Sequence, residues 1–200
     1  MARLERGDGP VAWSVRLDEP WVAAQALPLS AAERAGLAPG ADAWRAVRRA
    51  LAKALVAHLA GADAALAPAP GGGVTVVRPA GWSVNISGRG TRALFGSARQ
   101  PIGVDVEPLS PEAPVWGALT PAERAVIAAL PAAEQPRAFL IRWAAKEAHA
   151  KRTGLASQAD PQAIETIPHS EGTIEARWRG VSRCHWREHD GAIECVALAL

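Results

Sequence analysis

The heptapeptide LSAAERA at residues 29–35 returns as LTPAERA at residues 119–125. Each copy precedes a long helical pattern that carries Arg-x-x-x-Lys, Arg49 and Lys53 in the first, Arg142 and Lys146 in the second. Each pattern stops at a glycine, Gly61 or Gly154, and short strand patterns follow. A repeat that keeps its order of elements constrains the fold more than any single motif, because both copies must bury equivalent faces. The expectation is an α+β protein of two similar α+β halves, residues 1–100 and 101–200. They would be related by pseudo-twofold symmetry with an active-site cleft between them. A chain of 200 residues has room for two such units.

Local signals fill in the halves. VAWSVRL (Val11 to Leu17) alternates like a first strand. Ser30 reads as the N-cap of a short helix, and Val47, Leu51, Leu55 and Leu59 mark the buried stripe of a longer one over 41–60. Arg45, Arg49 and Lys53 form a basic stripe beside it, and His58 lies near the apolar one. ALAPAPGGG (65–73) reads as a loop. Strands are expected around 74–77, 84–87, 93–96 and 102–107. Thr120, Pro121 and Glu123 announce a capped helix, and a long helix should run over 136–152. TIEARW, VSRCHW and AIECVALAL complete the second half as strands, with a turn at Asp190-Gly191.

The chemistry concentrates in two places. PIGVDVEP (101–108) reads as a buried strand, yet Asp105 and Glu107 stand two residues apart and so share a face. Like charges side by side repel, so a cation is expected between them. On the second long helix, WAAKEAHAK places Trp143, Glu147 and Lys151 at spacings of four, on one face. Asp105, Glu107 and Glu147 together suit a hard divalent cation such as Mg²⁺, with Lys146 and Lys151 complementing phosphates. Taken singly, an Asp-x-Glu pair is also what a solvated strand carries, and KEAHAK what an ordinary helix surface carries.

Together, IGVDVE and FLIRWAAKEAHAK resemble the paired signature of the 4′-phosphopantetheinyl transferase superfamily. The duplication is similar to the longer, pseudo-dimeric branch that activates peptide and polyketide synthetases. The resemblance implies transfer of the phosphopantetheine arm of coenzyme A to a serine of an apo acyl or peptidyl carrier protein, with release of adenosine 3′,5′-bisphosphate. It implies Mg²⁺ on Asp105, Glu107 and Glu147, with Glu147 as base and Lys151 on the phosphate under attack. Lys146 takes a supporting phosphate role, and Arg45 falls where the family binds coenzyme A. The family's N-I-S-H-S motif is NISGRG here: Asn85, Ile86 and Ser87 match, but Gly88 replaces the histidine. Arg89 or Arg92 is the candidate replacement, with a plain loop charge as the alternative. Arg78-Pro79 stands nearest to the family's Gly-Lys-Pro.

The remaining features narrow the class. No histidine pair has zinc spacing, no Walker loop or dinucleotide fingerprint is present, and the 8 tryptophans read as core filler. A net charge of +2 gives no reason to expect nucleic acid. No apolar run suits a membrane. The expectation is a cytoplasmic monomer with Cys184 and Cys195 reduced, although a disulfide between them stays open. Two other classes stay open as well. One is a coenzyme A or carrier-protein binding module without turnover. The other is a Mg²⁺-dependent phosphodiesterase that uses the Arg45–Arg49–Lys53 stripe.

Overall fold

The computed structural model describes residues 9–37, 43–69 and 73–200. The expected helix start at 41–42 and the middle of the glycine-rich loop at 70–72 lie outside them. The protein is α+β, and the chain divides into two compact units, Met1–Ile102 and Gly103–Leu200.

In the first unit, β1 (Val11–Arg16) leads to α1 (Val22–Gln25), α2 (Ala31–Ala35) and α3 (Ala43–Ala60). Strands β2 (Ala65–Pro68), β3 (Val74–Arg78), β4 (Ser83–Arg89) and β5 (Arg92–Ala98) follow. The order β1-β5-β4 makes an antiparallel sheet, with Val11 opposite Ser97 and Ile86 opposite Phe95. The expected stripe of α3 is the buried one: Leu51, Leu55, Val56 and Leu59 pack with Val15, Val84, Phe95 and Trp82. Gly61 ends the helix at φ +63°, a left-handed conformation that costs glycine little.

Two expectations change in this unit. Ala65–Pro68 is a strand rather than loop, paired with Val74–Arg78 around the glycines; alanine and proline hid it because neither favours extended structure. His58 points to solvent instead of packing beside the apolar stripe.

The second unit begins with β6 (Ile102–Pro108), then α4 (Pro121–Ala128) and α5 (Gln135–Arg152). Strands β7 (Glu165–Ser170), β8 (Thr173–Arg177), β9 (Val181–His189) and β10 (Ala192–Ala199) complete it. The sheet order is β6-β10-β9-β8-β7, so the last four strands form a meander and the first returns beside the last. Asp190 and Gly191 both take positive φ, as a two-residue hairpin turn requires, and His189 faces Ala192. Strand β7 gave no sequence signal: it is polar, contains Pro168 and sits at the sheet edge, where proline is tolerated.

Helix α5 lays Ala144, Ala145 and Ala148 on Ile174, Ala176, Cys184, Ile193, Cys195 and Ala197. Small side chains on both surfaces bring helix and sheet close together. Both cysteines are buried and free, and contact with Cys184 together with burial pushes the Cys195 thiol well up. Among the described residues, no helix is long and apolar enough to cross a membrane.

Candidate active site

The sequence repeat is a repeat of wiring. Ser30 and Glu33 form a capping box at α2: Ser30 Oγ accepts from Glu33 N–H, and Glu33 Oε2 accepts from Ser30 N–H at 2.7 Å. Glu33 also accepts from Leu66 N–H (3.0 Å) and from Lys53 Nζ (2.9 Å), while Lys53 donates to Pro28 O. In the second unit Glu123 accepts from Thr120 N–H (2.8 Å), Thr166 N–H (2.9 Å) and Lys146 Nζ (2.6 Å), while Lys146 donates to Ala118 O. Arg49 donates to Glu33 O, and Arg142 to Thr166 O.

Burial pushes the Glu33 carboxyl up, but the Leu66 and Ser30 amides and Lys53 outweigh it and hold it down at about 2. Glu123 is likewise held below the usual carboxylate range: burial opposes the shift, while Lys146, Thr166 and Thr120 drive it.

This wiring revises three expected roles. Lys146 is 1% exposed, and its ammonium meets Glu123, Ala118 O and Pro161 O (2.8 Å). Three acceptors match the three donors of an ammonium group, so Lys146 belongs to the scaffold and not to a phosphate. Arg49 and Lys53 turn into the Glu33 network, which removes them from any open basic stripe.

The acids of β6 meet the expected face of α5. Trp143 Nε1–H donates to Glu107 Oε1 at 3.0 Å, and Lys151 Nζ lies 2.5 Å from Asp105 Oδ1. Glu147 stands between these two contacts, one turn from each, and is half-buried. Asp105 is fully buried and Glu107 nearly so.

Gly103 permits this approach. A Cβ there would lie 1.9 Å from Ala148 O and 2.6 Å from Arg152 N, so the strand backbone passes directly against the helix backbone. His149, off the Trp143–Glu147–Lys151 face, is structural. Its Nε2–H donates to Trp178 O (2.9 Å), which leaves Nδ1 to accept from Ser182 Oγ–H (2.6 Å), and burial pushes its pKa down.

Residues 101–199 match the family model described as the 4′-phosphopantetheinyl transferase superfamily. The second unit is a domain of that superfamily. No curated protein matches the chain.

The phosphopantetheinyl transferase family uses coenzyme A as substrate, typically with a divalent metal. The donor set of this domain suits such a metal, since Asp105, Glu107 and Glu147 offer only hard carboxylate oxygens. The set is not preassembled: among the described residues, no three His, Cys, Asp or Glu side chains converge into a cation cluster. Lys151 instead supplies the positive charge beside Asp105.

The expected coenzyme A residues fall in the first unit. Arg45, Arg48 and Arg49 line a cavity of about 180 Å³ together with Val74, Asn85 and Gly88. Ser87 is buried in β4, while Arg78 and Arg89 are exposed near strand ends, with Arg89 donating to Gly88 O at 3.4 Å. None of these three is among the described lining residues, nor is Arg92. Sequence reasoning missed Arg48. Its spacing of three from Arg45 on α3 was the available signal.

Proposed function

We propose that the protein transfers the 4′-phosphopantetheine arm of coenzyme A to a serine hydroxyl of an apo acyl or peptidyl carrier protein, releasing adenosine 3′,5′-bisphosphate. The observation that carries this reading is the double tie between β6 and α5, Trp143 to Glu107 and Lys151 to Asp105, which brackets Glu147. A domain built only to bind a partner has no evident need for three carboxylates on adjoining elements with a single lysine beside them.

The reaction joins the serine oxygen to the phosphorus that bears pantetheine. The bond from that phosphorus to the bridging oxygen breaks, and the nucleotide departs with the electron pair. Glu147 takes the serine proton, directly or through one water. Lys151 offsets charge on the phosphate under attack. Asp105, Glu107 and Glu147 would hold Mg²⁺, which supplies further neutralisation of the pyrophosphate when bound. Arg45 contributes positive charge for the phosphates of coenzyme A.

Intact mass spectrometry of a panel of apo carrier proteins, incubated with coenzyme A and Mg²⁺, tests the reading. The expected result is a gain of one phosphopantetheine arm that disappears with chelator. Glu147→Gln should slow it on the order of 10²–10³-fold without lowering the melting temperature. Full activity in Glu147→Gln would sink the role of Glu147, and no mass gain on any carrier would sink the transfer reading.

A further inference from the structure

Helical spacing puts Ala138, Ile141 and Arg142 on the side of α5 opposite Trp143, Glu147 and Lys151. On that side the second unit holds a cavity of about 200 Å³. Its walls are apolar: Ile127 comes from α4, Ile141 from α5, Ile174 from β8 and Trp186 from β9. No carboxylate is among its described lining residues, and Arg142 is the cation among them.

Arg142 is 8% exposed, and the fold engages its guanidinium only in part. Nη1 donates to Thr166 O and to Thr166 Oγ1, at 2.8 Å each. The N–H of Nε and the pair on Nη2 have no hydrogen-bond partner among the described residues. Neither nitrogen is sealed from solvent, and the cavity that Arg142 lines is the opening beside them. The charge is short of compensation as well. Glu123 acts on Arg142 through space, but the ion pair of that carboxylate is with Lys146 at 2.6 Å. Burial pushes the Arg142 pKa down, the mark of a cation that has lost water and gained too little in return.

A buried cation with open donors in an apolar pocket suits a ligand that is apolar over most of its surface and anionic at one end. A guanidinium fork matches the planar geometry of a carboxylate. Size sets the other bound. An apolar cavity of about 150 Å³ is enough to hold benzene, so this one takes a phenyl ring or an alkyl group of similar bulk.

We propose that this cavity binds a small apolar monocarboxylate, with its ring or chain against Ile127, Ile141, Ile174 and Trp186 and its carboxylate on Nε and Nη2 of Arg142. The site is separate from the acids of β6 and stands whether or not the transferase reading holds.

Calorimetric titration of the full chain with phenylpropanoate, phenylpropanol and acetate tests the site. Phenylpropanoate is expected to bind about tenfold tighter than phenylpropanol, which is what one hydrogen bond to a charged group supplies. Acetate, which has the charge without the apolar body, should bind far more weakly than either. Arg142→Met should bring phenylpropanoate down to the level of the alcohol and leave the alcohol almost unchanged. Ala138→Leu fills part of the cavity without touching the guanidinium and should weaken both. Saturating coenzyme A should leave phenylpropanoate binding as it was.

Equal binding of acid and alcohol by the wild type overturns the proposal, as does a preference for the acid that survives Arg142→Met. Acetate binding as tightly as phenylpropanoate overturns it by reducing the site to a bare cation. Binding untouched by Ala138→Leu, or competition by coenzyme A, would place the acid elsewhere and overturns it too. Should Arg142→Met fail to fold, the wild-type preference and Ala138→Leu decide.

Discussion

Glu33 and Glu123 sit at the centre of the same network in two settings, and the settings differ in water. Lys53, the partner of Glu33, keeps 15% of its side chain exposed, whereas Lys146, the partner of Glu123, keeps 1%. Lys146 also reaches a further carbonyl, Pro161 O, beyond the contacts that the two lysines have in common. On these matching frames the units carry groups of opposite sign: Arg45 and Arg48 in the first, Asp105, Glu107 and Glu147 in the second. The comparison teaches that capping residue, glutamate and lysine are framework, and that the chemistry lies in residues around them which the repeat does not share.

The largest effect should come from the drier network. Lys146→Met leaves Glu123 as an uncompensated buried charge, and the expected loss is about 3–5 kcal/mol in urea denaturation. The double variant Glu123→Gln/Lys146→Met should recover much of that, and the transfer rate per folded molecule should hardly change. A selective loss of transfer would return Lys146 to the phosphate.

Next in size is the acid response of the first unit. The folded pKa of Glu33 is depressed to about 2 from an ordinary value of 4.5. Its contribution to stability is therefore complete above about pH 4.5 and is lost as pH falls towards 2. Wild type should lose about 3 kcal/mol across that window relative to Glu33→Gln. Parallel pH profiles for the two proteins would contradict the network.

The smallest effect is Lys53→Met, at about 2 kcal/mol, because water can replace part of what the lysine supplies. Equal costs for Lys53→Met and Lys146→Met would erase the contrast between the two units.

Much of this was legible in the sequence because it depends on short-range rules. The capping boxes need only Ser30 with Glu33 and Thr120 with Glu123, and helical spacing alone aligned Trp143, Glu147 and Lys151. The hairpin at Asp190-Gly191 followed from the conformations those two residues accept. What escaped depends on partners far away in the chain. Lys146 looked like a free cation beside Glu147 until folding brought Glu123 and Pro161 to it. Gly88 looked like a missing side chain, and only the fold shows Arg48 lying across the space that a Cβ there would take. Strand β7 is held by its neighbour β8, not by any preference of Pro168 or His169.

Gly103 carries a consequence for how the domain tolerates change. Where a strand and a helix meet through side chains, their separation shifts with each methyl group gained or lost. Here Ala148 O lies against the bare backbone of residue 103, so the gauge between the acids of β6 and the face of α5 is set by main chain against main chain. The alanines of α5 and the cysteines facing them are small enough to fit the separation that this gauge sets. A single methyl group at position 103 is the change it cannot absorb.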